Sequence, residues 1–182
     1  MDIPDRDLVN YVVYQVGALK GFLALAGMPL QHVKLHGALY HLMAADEGLF
    51  LKIVSSVRKA FGDVIFLTLA SGKASELKVR LEAEGVRIAL EAFPDRQYGD
   101  AGELLSRSGK ASVLTDPGLI AERAMEMVRM RGVSSVSGQW IPMDIDTVCI
   151  HGDNTSSVEA ARLLRARAEE GAVEVVPLST FI

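Results

Sequence analysis

The sequence is short of the features that mark several protein classes. It holds one cysteine, Cys149, so the chain cannot close an internal disulfide or build a multi-cysteine zinc site. Cys149 itself reads as a small, buried apolar residue in a strand, and a reducing, cytoplasmic setting fits. Neither sign of charge dominates: 19 Lys and Arg stand against 23 Asp and Glu, a net charge of −4. No stretch concentrates basic residues with aromatics, which excludes duplex binding through a broad basic face. The first residues, MDIPDRDLVN, carry no signal-peptide pattern. The most apolar stretch, YVVYQVGALKGFLALAGMPL at 11–30, is interrupted by Gln15, Lys20 and three glycines and stops at Pro29. It reads as a buried helix rather than a membrane span.

Nucleotide and nucleophile signatures are missing as well. TLASGKAS at 68–75 superficially resembles a phosphate loop, but Leu67 stands where the Walker pattern needs glycine and Ala74 where it needs Ser or Thr. There is no GxGxxG, no GxSxG and no cysteine beside a base. Internal repeats, low-complexity segments and linkers are absent too. With 182 residues, of which 49% are hydrophobic and 23% charged, a single domain over 1–182 would bury about 70% of its unfolded surface. A full (β/α)₈ barrel typically takes about 250 residues, so the chain is short for one.

What is present alternates between strand and helix patterns. Apolar residues at three- and four-residue spacing from Val9 to Leu23 predict a helix over 5–26, with Gly17 and Gly21 open to close packing. An extended run follows at 31–35, then a helix over about 45–60 with Phe50, Ile53, Val54, Val57 and Phe61 on one face. VIFLTL at 64–69 has the length and continuity of a strand buried on both faces. A helix at 74–84 ends at Gly85, and VRIALE at 86–91 is a strand. Residues 92–115 are polar and irregular, and a connection of that length is often functional. Asp116-Pro117 opens a helix reaching Gly132, with Ile120, Ala124, Met127 and Val128 inward. A hairpin around Ser137-Gly138, a strand at 147–150, a helix capped by Asn154 or Ser156 and a last strand, VEVVPL, complete the order. This alternation predicts an α/β fold with right-handed crossovers and a mostly parallel sheet.

The reactive residues follow the predicted strands. Lys34 and His36 end the first, Glu91, Asp95 and Arg96 follow the third, and His151, Asp153 and Asn154 follow the fourth. Sites in parallel α/β folds form beyond the carboxyl ends of strands, so these clusters point to one pocket. Each also has a plainer reading. A lysine in an apolar strand is costly unless paired or functional. His36, before Gly37, could move a proton, orient substrate or only brace the turn. His32 and His36 lie four apart in a strand-to-loop segment, which counts against a metal pair, and His41 reads as a helix-start or surface residue. Asp95 and Arg96 either pair at the surface or serve a site beside Glu91, a carboxylate desolvated at the end of an apolar strand. Arg107 could clamp a carboxylate. HGDN at 151–154 enters a helix N-terminus, which attracts anions, and Asp153 could instead be only its cap.

Four segments together resemble one family. HVKLHGALYH, EAFPDRQY, the following G-x-L-x-x-R (Gly102 to Arg107) and CIHGDN, with YQVGAL at 14–19, resemble the LamB/YcsF family, the 5-oxoprolinase A subunits, in family order over nearly the whole chain. The resemblance implies part of a (β/α) barrel of the glycoside hydrolase/deacetylase type. It implies ATP-dependent opening of 5-oxo-L-proline (pyroglutamate) to L-glutamate, in a complex with other 5-oxoprolinase subunits. ATP would be a co-substrate, bound with the help of those subunits, and no metal is assigned. Lys34, His36, Asp95, His151 and Asp153 would then be catalytic, and Tyr40, Glu91, Arg96, Arg107 and Asn154 would bind substrate.

The sequence departs from the family at Leu35, His41, Pro94 and Ser106, where proline, asparagine, alanine and proline are usual. It begins near the family's YQxGAL helix, so the expectation is a barrel without its first strands. A non-catalytic member with a structural or interaction role, open to self-association, is the second reading. A metal-dependent carbohydrate-deacetylase-like hydrolase is the third, disfavoured by the want of an Asp-His-His set.

Overall fold

The computed structural model describes residues 3–106, 112–152 and 156–182. The described residues form two compact units. The first takes in residues up to Thr68, then Glu76–Ala89 and Phe181–Ile182; the second takes in Leu69–Ser75 and Leu90–Thr180. Strands β1 (His32–Lys34), β2 (Ile65–Leu69), β3 (Arg87–Ala92) and β6 (Thr147–Val148) form a sheet in the order β1-β2-β3-β6. The β1–β2 and β3–β6 pairings are parallel.

The first unit holds α1 (Asp5–Leu25), α2 (Gly37–Ala45) and α3 (Glu47–Phe61) with β1 and all of β2 but Leu69. Of the predicted apolar face of α3, Phe61 is half-buried, whereas Phe50, Ile53, Val54 and Val57 are buried and Leu49 joins them. They meet a β2 in which Ile65, Phe66 and Leu67 are buried, and the Phe50 and Phe66 rings pack edge to face. Asp46 starts α3 by accepting a hydrogen bond from the Leu49 N–H at 3.0 Å, which satisfies one of the helix's orphan donors.

Helix α1 departs from expectation. Only Leu8, Val12 and Val16 are buried, while Tyr14, Phe22 and Leu25 are exposed. The helix buries a stripe against α3 instead of being enclosed, because three positions at spacing four fall on the inward face and the other apolar side chains point elsewhere. By length and composition alone it is also long and apolar enough to cross a membrane. A β-carbon at Gly17 would lie 3.5 Å from the Phe61 ring, so close packing there is borne out, whereas Gly21 faces open space.

The second unit contains α5 (Pro117–Met130), α6 (Ser156–Glu170) and a hairpin of β4 (Gly132–Ser134) and β5 (Trp140–Pro142). Asp116 Oδ1 accepts from the Leu119 N–H at 2.7 Å and Pro117 occupies the first turn, as the Asp-Pro pair predicts. Helix α5 buries Ile120, Ala121, Ala124, Met125 and Met127; Val128, expected inward, is exposed. Position 128 falls within the arc of the buried positions but in the last turn of the helix, beyond the last buried residue. Gly132 has no room for a side chain, since a β-carbon would meet the Ile141 carbonyl oxygen and the Trp140 ring below 3.0 Å.

Helix α4 (Gly72–Glu82) joins β2 to β3. The last predicted strand does not form: among the described residues 173–177 pairs with no strand, and Leu178–Thr180 is a single 3-10 turn. The turn is closed by Thr180, whose N–H and hydroxyl both donate to the Pro177 carbonyl. A proline at 177 lacks the N–H a ladder would need. Helix α2 was not expected; its residues lack a polar face, so no amphipathic period announces it.

Candidate functional site

Beyond β3 the backbone leaves the sheet in a loop that is irregular but tied at many points. The Leu114 N–H donates to the Asp95 carbonyl at 2.8 Å, and the Gln97 N–H to the Ser112 carbonyl at 3.1 Å. The Arg96 guanidinium donates to the Leu105 carbonyl. Arg123 on α5 reaches the Arg96 carbonyl at 3.3 Å and Gln97 Oε1 at 3.4 Å. Burial pulls the Arg123 guanidinium below its ordinary value, because leaving water disfavours the charged form.

This loop carries the predicted EAFPDR cluster. Glu91, Asp95 and Arg96 are all buried, which rejects the plainer reading of Asp95 and Arg96 as a surface ion pair. Glu91 lies in register with Thr147 of β6, and its carbonyl accepts from the Ala70 N–H. Register between β3 and β6 is pinned by Asp146, whose N–H donates to the Leu90 carbonyl and whose carboxylate accepts from the Leu90 N–H, both at 2.8 Å. The Cys149 N–H then donates to the Ala92 carbonyl. Cys149 is half-buried and lies just past β6, not buried within a strand as expected.

That register delivers His151 to Asp95. The imidazole Nδ1 lies 2.7 Å from Asp95 Oδ2, and the His151 main-chain N–H donates to the same oxygen at 3.4 Å. The Asp95 side chain is 1% exposed and that of His151 is 25% exposed. The Phe93 ring stacks on the imidazole, with centroids 5.2 Å apart and planes 19° apart. Asp95 Oδ1 is buried and has no hydrogen-bond partner among the described residues. An ionised carboxylate only accepts. Oδ2 therefore accepts a hydrogen bond from Nδ1–H, the tautomer that leaves the Nε2 lone pair of a neutral imidazole as the proton acceptor. This is the arrangement of a base held by an orienting carboxylate.

The other predicted residues divide in two. Lys34 ends β1 in the first unit, with its ammonium 5.8 Å from the centre of the buried Tyr40 ring. His36 is exposed at the start of α2. It precedes Gly37 at φ +62°, a left-handed turn that glycine adopts readily. Together with Val12, Val16, Leu30 and Leu39, Lys34 and His36 line a cavity of about 500 Å³ in that unit. Arg107, Asp153 and Asn154 lie outside the described residues. His32 is exposed and its ring contacts the Gln31 side chain, and His41 is exposed on α2. Among the described residues no three His, Cys, Asp or Glu side chains gather in a way that could hold a metal.

Three contributors were not singled out from the sequence. Phe93 and Tyr98 sit inside EAFPDRQY, but a five-residue spacing in an irregular loop carries no period. Tyr98 is fully buried, and its phenol oxygen accepts from the Phe93 N–H at 2.8 Å. Burial pushes its ionisation well above the ordinary phenol value. Arg123 looked like any polar residue of an amphipathic helix.

Comparison with known proteins identifies the family. A model of the LamB/YcsF family matches residues 1–182. A Pyrococcus furiosus protein named as the A subunit of 5-oxoprolinase is 38% identical over 182 residues, spanning 100% of this chain and 70% of the relative. A Rhodopseudomonas palustris protein of the same name is 42% identical over 177 residues, spanning 97% of this chain and 68% of the relative. The crystal structure of the lactam utilization protein from Thermus thermophilus is similar with a TM-score of 0.83 and 36% identity, over 96% of this chain and 68% of that one. The likeness bears out the expected α/β class, a mostly parallel sheet forming part of a (β/α) barrel.

Proposed function

The chain belongs to the LamB/YcsF family, and from that membership and the buried Asp95–His151 pair we propose that it is the A subunit of an ATP-dependent 5-oxoprolinase. In this reading it opens the cyclic amide of 5-oxo-L-proline to give L-glutamate. The observation that carries it is the 2.7 Å contact between Asp95 Oδ2 and His151 Nδ1.

Opening a lactam by water requires three things. A base takes a proton from the attacking water, a donor holds the oxygen that becomes negative, and the ring nitrogen receives a proton as the C–N bond breaks. His151 Nε2 supplies the first and returns the proton to the leaving nitrogen. Asp95 holds the imidazole in the needed tautomer and stabilises it once charged. Arg96 and Lys34 are assigned carbonyl-polarising donation, and His36 and Asp153 proton transfer. Tyr40, Glu91, Arg107 and Asn154 are assigned substrate binding. ATP is a co-substrate, hydrolysed to ADP and phosphate as the ring opens and held with the help of the other subunits, and the setting is cytoplasmic.

The test is ATP-dependent release of glutamate from 5-oxoproline by the chain combined with its partner subunits. Release that stops when ATP or this chain is omitted is expected. No release under conditions where a relative of full family length turns over would overturn the reading. A second reading, a structural or interaction role, is favoured by the exposed apolar residues Tyr14, Phe22 and Leu25 of α1, and that negative result would select it.

A further inference from the structure

A base held by one hydrogen bond can still tilt about it. Asp95 fixes one edge of the His151 imidazole, and the Phe93 ring, stacked at 5.2 Å, fixes its face. What holds Phe93 is therefore as important to the base as Asp95. Its main-chain N–H does not run on into the β3 ladder; it donates to the phenol of Tyr98, five residues on. Tyr98 is 0% exposed. Its carbonyl accepts from the Val136 N–H at 2.9 Å, and its backbone bridges Leu104 and Ser135. The phenol thus connects the hairpin side of the second unit to the ring that lies on the imidazole.

We infer that Tyr98 is a positioning residue for His151: its phenol fixes Phe93, and Phe93 fixes the plane in which the imidazole presents Nε2. The inference rests on the reading of His151 as the base. A tyrosine suits the task because its oxygen is neutral, directional and carried on a rigid arm long enough to cross the loop. A phenylalanine of the same shape would fill the space and lose only the acceptor.

The experiment compares the wild-type chain with Tyr98→Phe and Phe93→Leu. The imidazole C–H proton resonances are recorded at a fixed neutral pH, with those of His151 identified by their absence in His151→Gln. Phe93→Leu removes the stacked ring and moves the His151 resonances. Tyr98→Phe is expected to move them in the same direction while the other three histidines stay in place. In the complex with its partner subunits, Tyr98→Phe is expected to lower kcat by up to about 100-fold with KM within about twofold, the pattern of a misplaced reacting group and not of lost binding. His151 resonances that move in Phe93→Leu and stay put in Tyr98→Phe would overturn the inference. Should Tyr98→Phe fail to fold, Phe93→Leu tests the same route, and unchanged His151 resonances and kcat there would also overturn it. A wild-type complex without turnover would defeat the functional reading, while the resonances would still decide the positioning role.

Discussion

Burial sets the terms at Asp95. A carboxyl group 1% exposed is costly to bury unless a partner offsets its lost hydration, and His151 is that partner for Oδ2. The residues that matter most to the site are those with least access to water, and Tyr98 follows the same logic. Burial raises its ionisation from an ordinary value of 10.0, so the folded state keeps a neutral phenol at a pH where the unfolded chain begins to lose the proton. A raised value contributes stability that is fully present below the unfolded pKa and is lost as pH rises. Unfolding measured by denaturant is therefore expected to show stability falling above about pH 10, with a shallower fall in Tyr98→Phe. Equal slopes for the two chains would refute the burial argument. Asp95 and His151 were legible in the sequence because each follows a strand in an α/β alternation. Their direct contact was not legible, because it depends on a register set by Asp146 and Leu90, and nothing in a one-dimensional pattern encodes that pairing.

Elements with strong periodicity or explicit end signals were the readable ones. The α3 face and the Asp116-Pro117 start of α5 needed only spacing and cap chemistry. Removing the cap by Asp116→Ala is expected to cost about 1 kcal/mol, read as a lower denaturant midpoint with an unchanged slope. A midpoint matching the wild type would mean that the 2.7 Å bond to the Leu119 N–H contributes nothing. Helix α2 was unreadable for the opposite reason, since GALYHLMAA presents no polar face to set against an apolar one. VEVVPL misled because β-branched residues suit a strand, but propensity is a statement about fit to neighbours, and 173–177 has no strand partner among the described residues. In α1 the apolar count was legible and the burial was not. Which stripe turns inward is decided by α3, and Tyr14, Phe22 and Leu25 fall outside it.

At the scale of the molecule, strand–helix alternation was enough to predict the α/β class, and the motifs were enough to identify the family. The chain spans about 70% of the Pyrococcus furiosus relative, and the activity proposed for it is exercised together with partner subunits. The central claim is that the Asp95–His151 pair is the base that opens the lactam. Its most direct test is glutamate release from 5-oxoproline by the assembled complex carrying Asp95→Asn, a change that keeps the side chain's shape but removes the negative charge that orients the imidazole and stabilises it once protonated. The account predicts a fall in kcat of about 10⁴-fold, with folding and assembly of the complex intact. Turnover within a few-fold of wild type would contradict it.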